Sequence, residues 1–320
     1  MCRLAQTLGL STSTRAAMTN TDYCDIIDVC DFLAKHRMAP ITAYGRDLEM
    51  VMGSDGLIKN VPAPKPATLF RGQSKEYDTL RPTIYRGYPP LATWQETRTV
   101  QFDDDVLQMP IPHYNEDLER DYYFSCVKAF ELVRDVADRF PNFPGEVDGH
   151  ALCQHYGLRT HCLDFSHDIW VSGFFATHSF SNGEFSPVSS GVGVMYVLEA
   201  QQVPSGSLYE IGFQPLPRPF AQKGFLLKVP PEVNLLAVPA VWSIYFQHSL
   251  SASEALGKRF DNGRALVPHD QVSMHIEQRL AEREVTKEGI VGYLNQVPEH
   301  HRNWLSSTIE RLFRGHIPVQ

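Results

Sequence analysis

The chain of 320 residues lacks most of the short motifs that announce a chemistry. It has no GxxxxGK(S/T) loop and no GxGxxG after a strand, so neither of the usual phosphate cradles is present. No GxSxG elbow appears, which removes the commonest framework for an activated serine. HExxH and CxxC, the spacings that make a zinc assignment strong, are missing too. His155, His161 and His167 recur every six residues, and at ~100° per residue each step lands about 240° round a helix, so they cannot share one helical face. No metal is expected. The six cysteines, at 2, 24, 30, 126, 153 and 162, form no framework of short spacings and read as reduced thiols. No run approaches the ~18 to 20 apolar residues that cross a bilayer, so no membrane partner is expected. Positive charge is also scarce: 29 basic against 37 acidic residues give a net charge of −8, so nucleic acid could be held only at a local patch. Residues 1–22 are Ser/Thr-rich without the apolar core of a signal peptide. They are expected to form a flexible arm on a cytoplasmic protein.

What is present is a core-forming composition, 43% hydrophobic, patterned for both helix and strand. Apolar residues recur at helical spacing from Ile26 to Leu33, from Leu118 to Ala137 and from Ile169 to His178. Ser166 is the expected N-cap of the third stretch, with Asp168 in its first turn. Ala67–Phe70 reads as a strand running into Arg71 and Gly72; residues 191–200, 224–229, 233–240 and "WSIYF" read as further strands. Residues 87–114 look like an irregular surface segment, and the last part is mostly helical. With no internal repeat, the expectation is an α+β fold, a mixed central β-sheet with flanking helices. The organisation expected is an arm over 1–22, one domain over 23–297 and a C-terminal helical extension over 298–320.

Within this apolar pattern sits an unusual set of polar residues: Arg71, Gln73, Arg81, Arg86, Gln154, His155, Tyr156, Asp164, Arg218 and Gln222. Burying such groups unpaired costs several kcal/mol each, so either they satisfy one another or they line a cleft. The densest part is "QHYGLRTHCLDFSHD", residues 154–168.

Three blocks, "FRGQSKEYDTLRPTIYR" (70–86), "QHYGLRTHCLDF" (154–165) with "FFA" (174–176), and "RPFAQKGFL" (218–226), resemble the signature blocks of the FRG-domain family, in the family's order and over roughly residues 25–295. The sequence departs from the family at "RTHC" (159–162), where relatives usually carry Pro-Thr-Arg-Leu. His161 stands in place of that arginine, and Arg159 is the candidate to substitute for it beside Asp164.

"LFRGQ" is also similar to the strand of ADP-ribosyltransferases that ends in Arg-Gly or His-Gly, which implies an ADP-ribosyltransferase-like sheet and NAD as cofactor. By that resemblance, Arg71 holds ribose or pyrophosphate, Gly72 offers its backbone to the nicotinamide and Tyr156 stacks on it. His155 and Gln222 bond the ribose, with Gln73 and Gln154 beside them, and Asp164 supports the cation or clamps Arg71. The later Glu of those enzymes falls at Gly224, leaving Asp164 or Glu210 to supply a carboxylate. The first expectation is therefore ADP-ribosyl transfer to a protein or nucleic-acid acceptor, or NAD cleavage, with Arg71, His155 and Asp164 as the catalytic candidates. Such chemistry would suit a toxin or an antiviral defence effector. Second stands a noncatalytic module binding a nucleotide or a protein; third, a nuclease or nucleotide hydrolase built on a His/Asp pair.

Overall fold

A computed structural model describes residues 25–36, 50–52, 58–60, 68–86, 116–143 and 147–313, apart from 182, 204, 205, 212, 213, 232, 270 and 283. The 1–22 arm and the 87–114 segment lie outside the described residues. The helices are α1 (Ile26–His36), α2 (Glu116–Arg139), α3 (Gly149–His155), α4 (Ile169–Thr177), α5 (Arg218–Ala221), α6 (Leu250–Arg259), α7 (Gln271–Ala281), α8 (Lys287–Gln296) and α9 (Glu299–Leu312). The strands are β1 (Met50–Met52), β2 (Ile58–Asn60), β3 (Thr68–Gln73), β4 (Cys162–Ser166), β5 (His178–Ser181), β6 (Glu184–Pro187), β7 (Val192–Glu199), β8 (Leu208–Glu210), β9 (Gly224–Lys228) and β10 (Val241–Gln247).

Six strands form the central sheet in the order β10-β7-β3-β4-β9-β8; β1-β2 and β5-β6 are separate hairpins. The fold is α+β, as expected, but the sheet is not mixed: every pairing in it is antiparallel. The helices between β3 and β4 are therefore a long excursion between antiparallel neighbours, not the crossover that a parallel pair requires.

Strand alternation gives the sheet two different faces. Leu69, Leu163, Phe165, Tyr196, Phe225 and Leu227 pack together on one. On the other, Phe70, Met195 and Val197 meet Ile26, Val29 and Leu33 of α1, Ile169 and Ala176 of α4 and Leu256 of α6. Further along that face Cys162 and Leu226 meet Ala151 of α3. Side chains buried to this degree contribute ~1.5 to 3 kcal/mol each, which sets α3 and α4 firmly beside the strands they flank. The C-terminal helix joins this body, with Leu305, Ile309 and Leu312 of α9 against Tyr123 and Val127 of α2.

Two local expectations are corrected. Residues 233–240 are not a strand: Asn234 caps a 3₁₀ turn over Leu235–Ala237, its side chain accepting from the Leu236 amide. A short apolar run does not distinguish a strand from a buried turn. The N-cap of α4 is Asp168, which accepts from the Trp170 amide at 2.9 Å, whereas Ser166 ends β4 and its hydroxyl meets the Asp168 amide at 3.0 Å. Strand β4 itself carries only five residues, "CLDFS", and its pattern alone does not reveal it.

Gly72 fixes how closely α4 lies on β3. A Cβ there would overlap the Ser172 carbonyl oxygen and stand 2.7 Å from the Ala176 Cβ. Because the obstruction is backbone, Gly72→Ala is expected to destabilise the protein by about 2 to 3 kcal/mol, the upper range for overpacking, read as a lowered urea midpoint.

Candidate functional site

Strands β3 and β4 share a single register pair, Phe70 with Ser166. Next to this short pairing, the Arg71 guanidinium takes the place of a ladder partner: its Nη1 donates to the Asp164 carbonyl at 2.8 Å and stands 3.7 Å from Oδ2 of the Asp164 carboxylate. A hollow of about 460 Å³ opens here, and Arg71, Gly72, Gln73, Gln154, His155, Tyr156, Asp164 and Gln222 all line it. All eight site residues singled out in the sequence are thus brought to one place, although 151 positions separate the first from the last.

Each is held by its element. Asp164 lies mid-strand in β4 between Leu163 and Phe165, whose side chains point into the core, so alternation turns the carboxylate the other way. Asp148 caps α3, accepting from the Ala151 amide at 2.9 Å, and so sets the two short turns that end on Gln154 and His155. Gln154 bridges: its carboxamide nitrogen donates to Asp164 Oδ2 at 3.0 Å while its oxygen accepts from the Thr160 hydroxyl. Gln222 follows α5, and its side-chain nitrogen donates to the Leu266 carbonyl at 3.0 Å.

The bonding is incomplete in a consistent way. Among the described residues, Arg71 Nε, Gln73 Oε1, His155 Nε2 and Asp164 Oδ1 are buried without a hydrogen-bond partner. His155 Nε2 and Asp164 Oδ1 face each other at 3.9 Å, too far for a direct bond, yet one oxygen placed between them could touch both. An unmet polar atom in a folded interior is costly; others lie elsewhere among the described residues, but with Arg218 Nε five belong to residues that line this one hollow.

Electrostatics follow from burial. Desolvation holds the His155 imidazole below its ordinary value of 6.5, against the nearby Asp164 charge and a hydrogen bond donated to the Gln222 side chain, which favour the protonated form; it is neutral at neutral pH. Arg71 is lowered from 12.5 by the same desolvation, with the Arg86 charge adding to it and Asp164 opposing. Arg86 also lines the hollow; its Nε donates to the Arg81 carbonyl at 3.3 Å, and it makes no ion pair with a carboxylate among the described residues.

Three expectations change. Tyr156 is only 3% exposed and carries the Arg218 guanidinium 4.2 Å over its ring, so that face is not offered for stacking. Arg218 is in turn bound to Glu277 at 2.6 Å and to the His155 carbonyl at 3.2 Å. Arg159 is exposed and absent from the hollow, and the arginine that meets Asp164 is Arg71, while His161 is buried against His150 and Tyr122. Of the two carboxylates proposed to replace the transferase Glu, Asp164 lines the hollow and Glu210, paired with Phe225 on β8, does not. Gly224 does line it; a Cβ on it would stand 3.3 Å from His155 Nε2. Sequence reading missed Phe180 and Phe185 as part of the wall, because an aromatic in a short hairpin reads as ordinary strand chemistry; Phe175 of α4 lines it beside them.

Among the described residues, no three of His, Cys, Asp and Glu are grouped as metal ligands, and no helix is long and apolar enough to cross a membrane. Cys30, Cys126, Cys153 and Cys162 are buried free thiols whose pKa values burial raises, Cys126 to about 12, which leaves them inert as nucleophiles at neutral pH.

An antiparallel sheet backed by helices, with an Arg-Gly strand opening onto a polar hollow, is the class the geometry defines. Residues 66–184 match the family model of the FRG domain, which supports the resemblance read from the three blocks. The third block, 218–226, lies beyond the matched residues yet delivers Arg218, Gln222 and Gly224 to the same hollow. No curated protein and no solved structure matches the chain.

Burial of neutral imidazoles sets a pH dependence. His150, His155, His161 and His167 all lie below 6.5, burial being the largest cause for each. As pH falls below 6.5 the unfolded chain takes up protons that the folded chain refuses, so stability is full above that value and is lost below it. Urea denaturation at pH 7.5, 6.5, 6.0 and 5.5 is expected to show this fall. His161→Gln should make it shallower by up to about 1.4 kcal/mol per pH unit, the contribution of one proton.

Proposed function

We propose that the hollow is a nucleotide site and that the chain breaks the bond between nicotinamide and ribose in NAD, passing ADP-ribose to water or to an acceptor group. The observation that carries this reading is the convergence of unpartnered polar atoms on one hollow, an acid and a neutral imidazole among them. In the reaction both electrons of the ribose C1′–N1 bond leave with nicotinamide, which becomes neutral, and positive charge develops on the ribose. The Asp164 carboxylate stabilises that charge through Oδ1, the oxygen that has no protein partner. An attacking hydroxyl gives its proton to His155 Nε2, which is neutral and therefore able to accept it. Arg71 is engaged by Asp164 and acts as the clamp that orients the carboxylate, while Arg86, without an acidic partner among the described residues, meets the phosphates. Removal of NAD by such a site suits a toxin or defence effector.

The second reading is a noncatalytic nucleotide-binding module, and one observation favours it: Arg71 and Asp164 already bind each other, as the parts of a scaffold do.

Incubation of the full chain with NAD, followed by nicotinamide release, separates the two. Turnover is expected in the unaltered protein and should fall about 10²-fold or more in Asp164→Asn, the usual scale for removing one electrostatic stabiliser. NAD that binds without releasing nicotinamide would leave the module. The acid limb of the turnover profile reports His155. Since the Asp164 charge raises the His155 pKa, Asp164→Asn should move the limb of its residual activity to lower pH.

A further inference from the structure

The β5-β6 hairpin places an exposed aromatic side chain at the hollow. Phe180 is 56% exposed, and Phe185, its register partner across the hairpin, lies 4.7 Å away between ring centroids. Phe185 is anchored in turn. Its ring meets Phe174, which is fully buried, at 5.0 Å and Phe175 at 6.0 Å. It also lies against Gly263, whose φ of +93° and lack of a Cβ let the turn approach the ring: a Cβ there would stand 2.9 Å from Phe185 Cε2. An apolar ring held in this way at the lip of a polar hollow gains nothing by facing water. It is already placed for a flat partner, so stacking would cost little further ordering. Tyr156, the aromatic residue the sequence offers first, is covered by Arg218.

We infer that Phe180, supported by Phe185, is the stacking wall of the site and takes the planar heterocycle of a nucleotide. This rests on reading the hollow as a nucleotide site, and it is independent of whether the bound nucleotide is cleaved. An NAD analogue with carbon in place of the oxygen of the nicotinamide-bearing ribose ring cannot form the oxocarbenium-like state, so its affinity reports binding alone. Calorimetric titration of the full chain with this analogue is expected to show binding that Phe180→Ala weakens about tenfold, within the range for loss of one stacked ring. Phe180→Trp should retain it. The melting temperature of Phe180→Ala should match that of the unaltered protein, because the side chain is mostly in water. Equal affinity in Phe180→Ala and the unaltered protein overturns the inference, as does failure of the unaltered protein to bind the analogue. Analogue binding that depends on Phe180, with no nicotinamide release from NAD, keeps the stacking wall and removes the cleavage reading. NAD cleavage with the same KM in Phe180→Ala does the reverse.

Discussion

The site depends on how little β3 and β4 pair. One register pair ties the two strands, and alongside it the Asp164 carbonyl is bound by the Arg71 guanidinium. That substitution does two things at once. It satisfies a backbone acceptor that the short ladder leaves over, and it brings a cation beside the Asp164 carboxylate without closing the sheet. A continuous ladder would satisfy the same carbonyl and leave no place for the guanidinium. The sheet can tolerate the interruption because its neighbours hold: β3 is paired along its whole length with β7, and β4 with β9.

Around this break the chain accepts costs that folding alone does not require. His155 is buried in neutral form, Asp164 keeps an unpartnered oxygen, and Phe180 stays largely in water although the neighbouring Phe174 is fully buried. Each choice is unfavourable for stability alone. Elsewhere among the described residues, buried carboxylates fasten helices, although Glu119 Oε1 and Glu131 Oε2 also lack a hydrogen-bond partner. Glu131 binds both the amide and the hydroxyl of Thr286 at the start of α8 and pairs with Lys128, and Glu119 meets Arg311 at 2.7 Å.

Much of the candidate site was legible before the fold. Arg71 at the end of an apolar strand, and Gln154, His155 and Asp164 within eleven residues, are polar groups in apolar surroundings, and burial makes such groups conspicuous. Roles were less legible than membership. Tyr156 was expected to stack by resemblance to the transferases, but Arg218, 62 positions on, occupies its face. The resemblances offered both Arg159 and Arg71 as the arginine beside Asp164, and Arg71, 93 positions away, is the one that meets it. A mixed sheet was expected, and the sequence pattern of strands and intervening helices does not distinguish a crossover from an excursion.

Hydrophobic periodicity and residue chemistry are local properties. The sequence by itself therefore determined the main helices, most of the central strands, the α+β class and the residues that needed either partners or a cleft. Direction of pairing, the short contact between β3 and β4 and the choice of which ring meets the hollow are set by contacts between distant segments. Those contacts are ranked by shape and by competition for the same partner, and only the tertiary structure decided them.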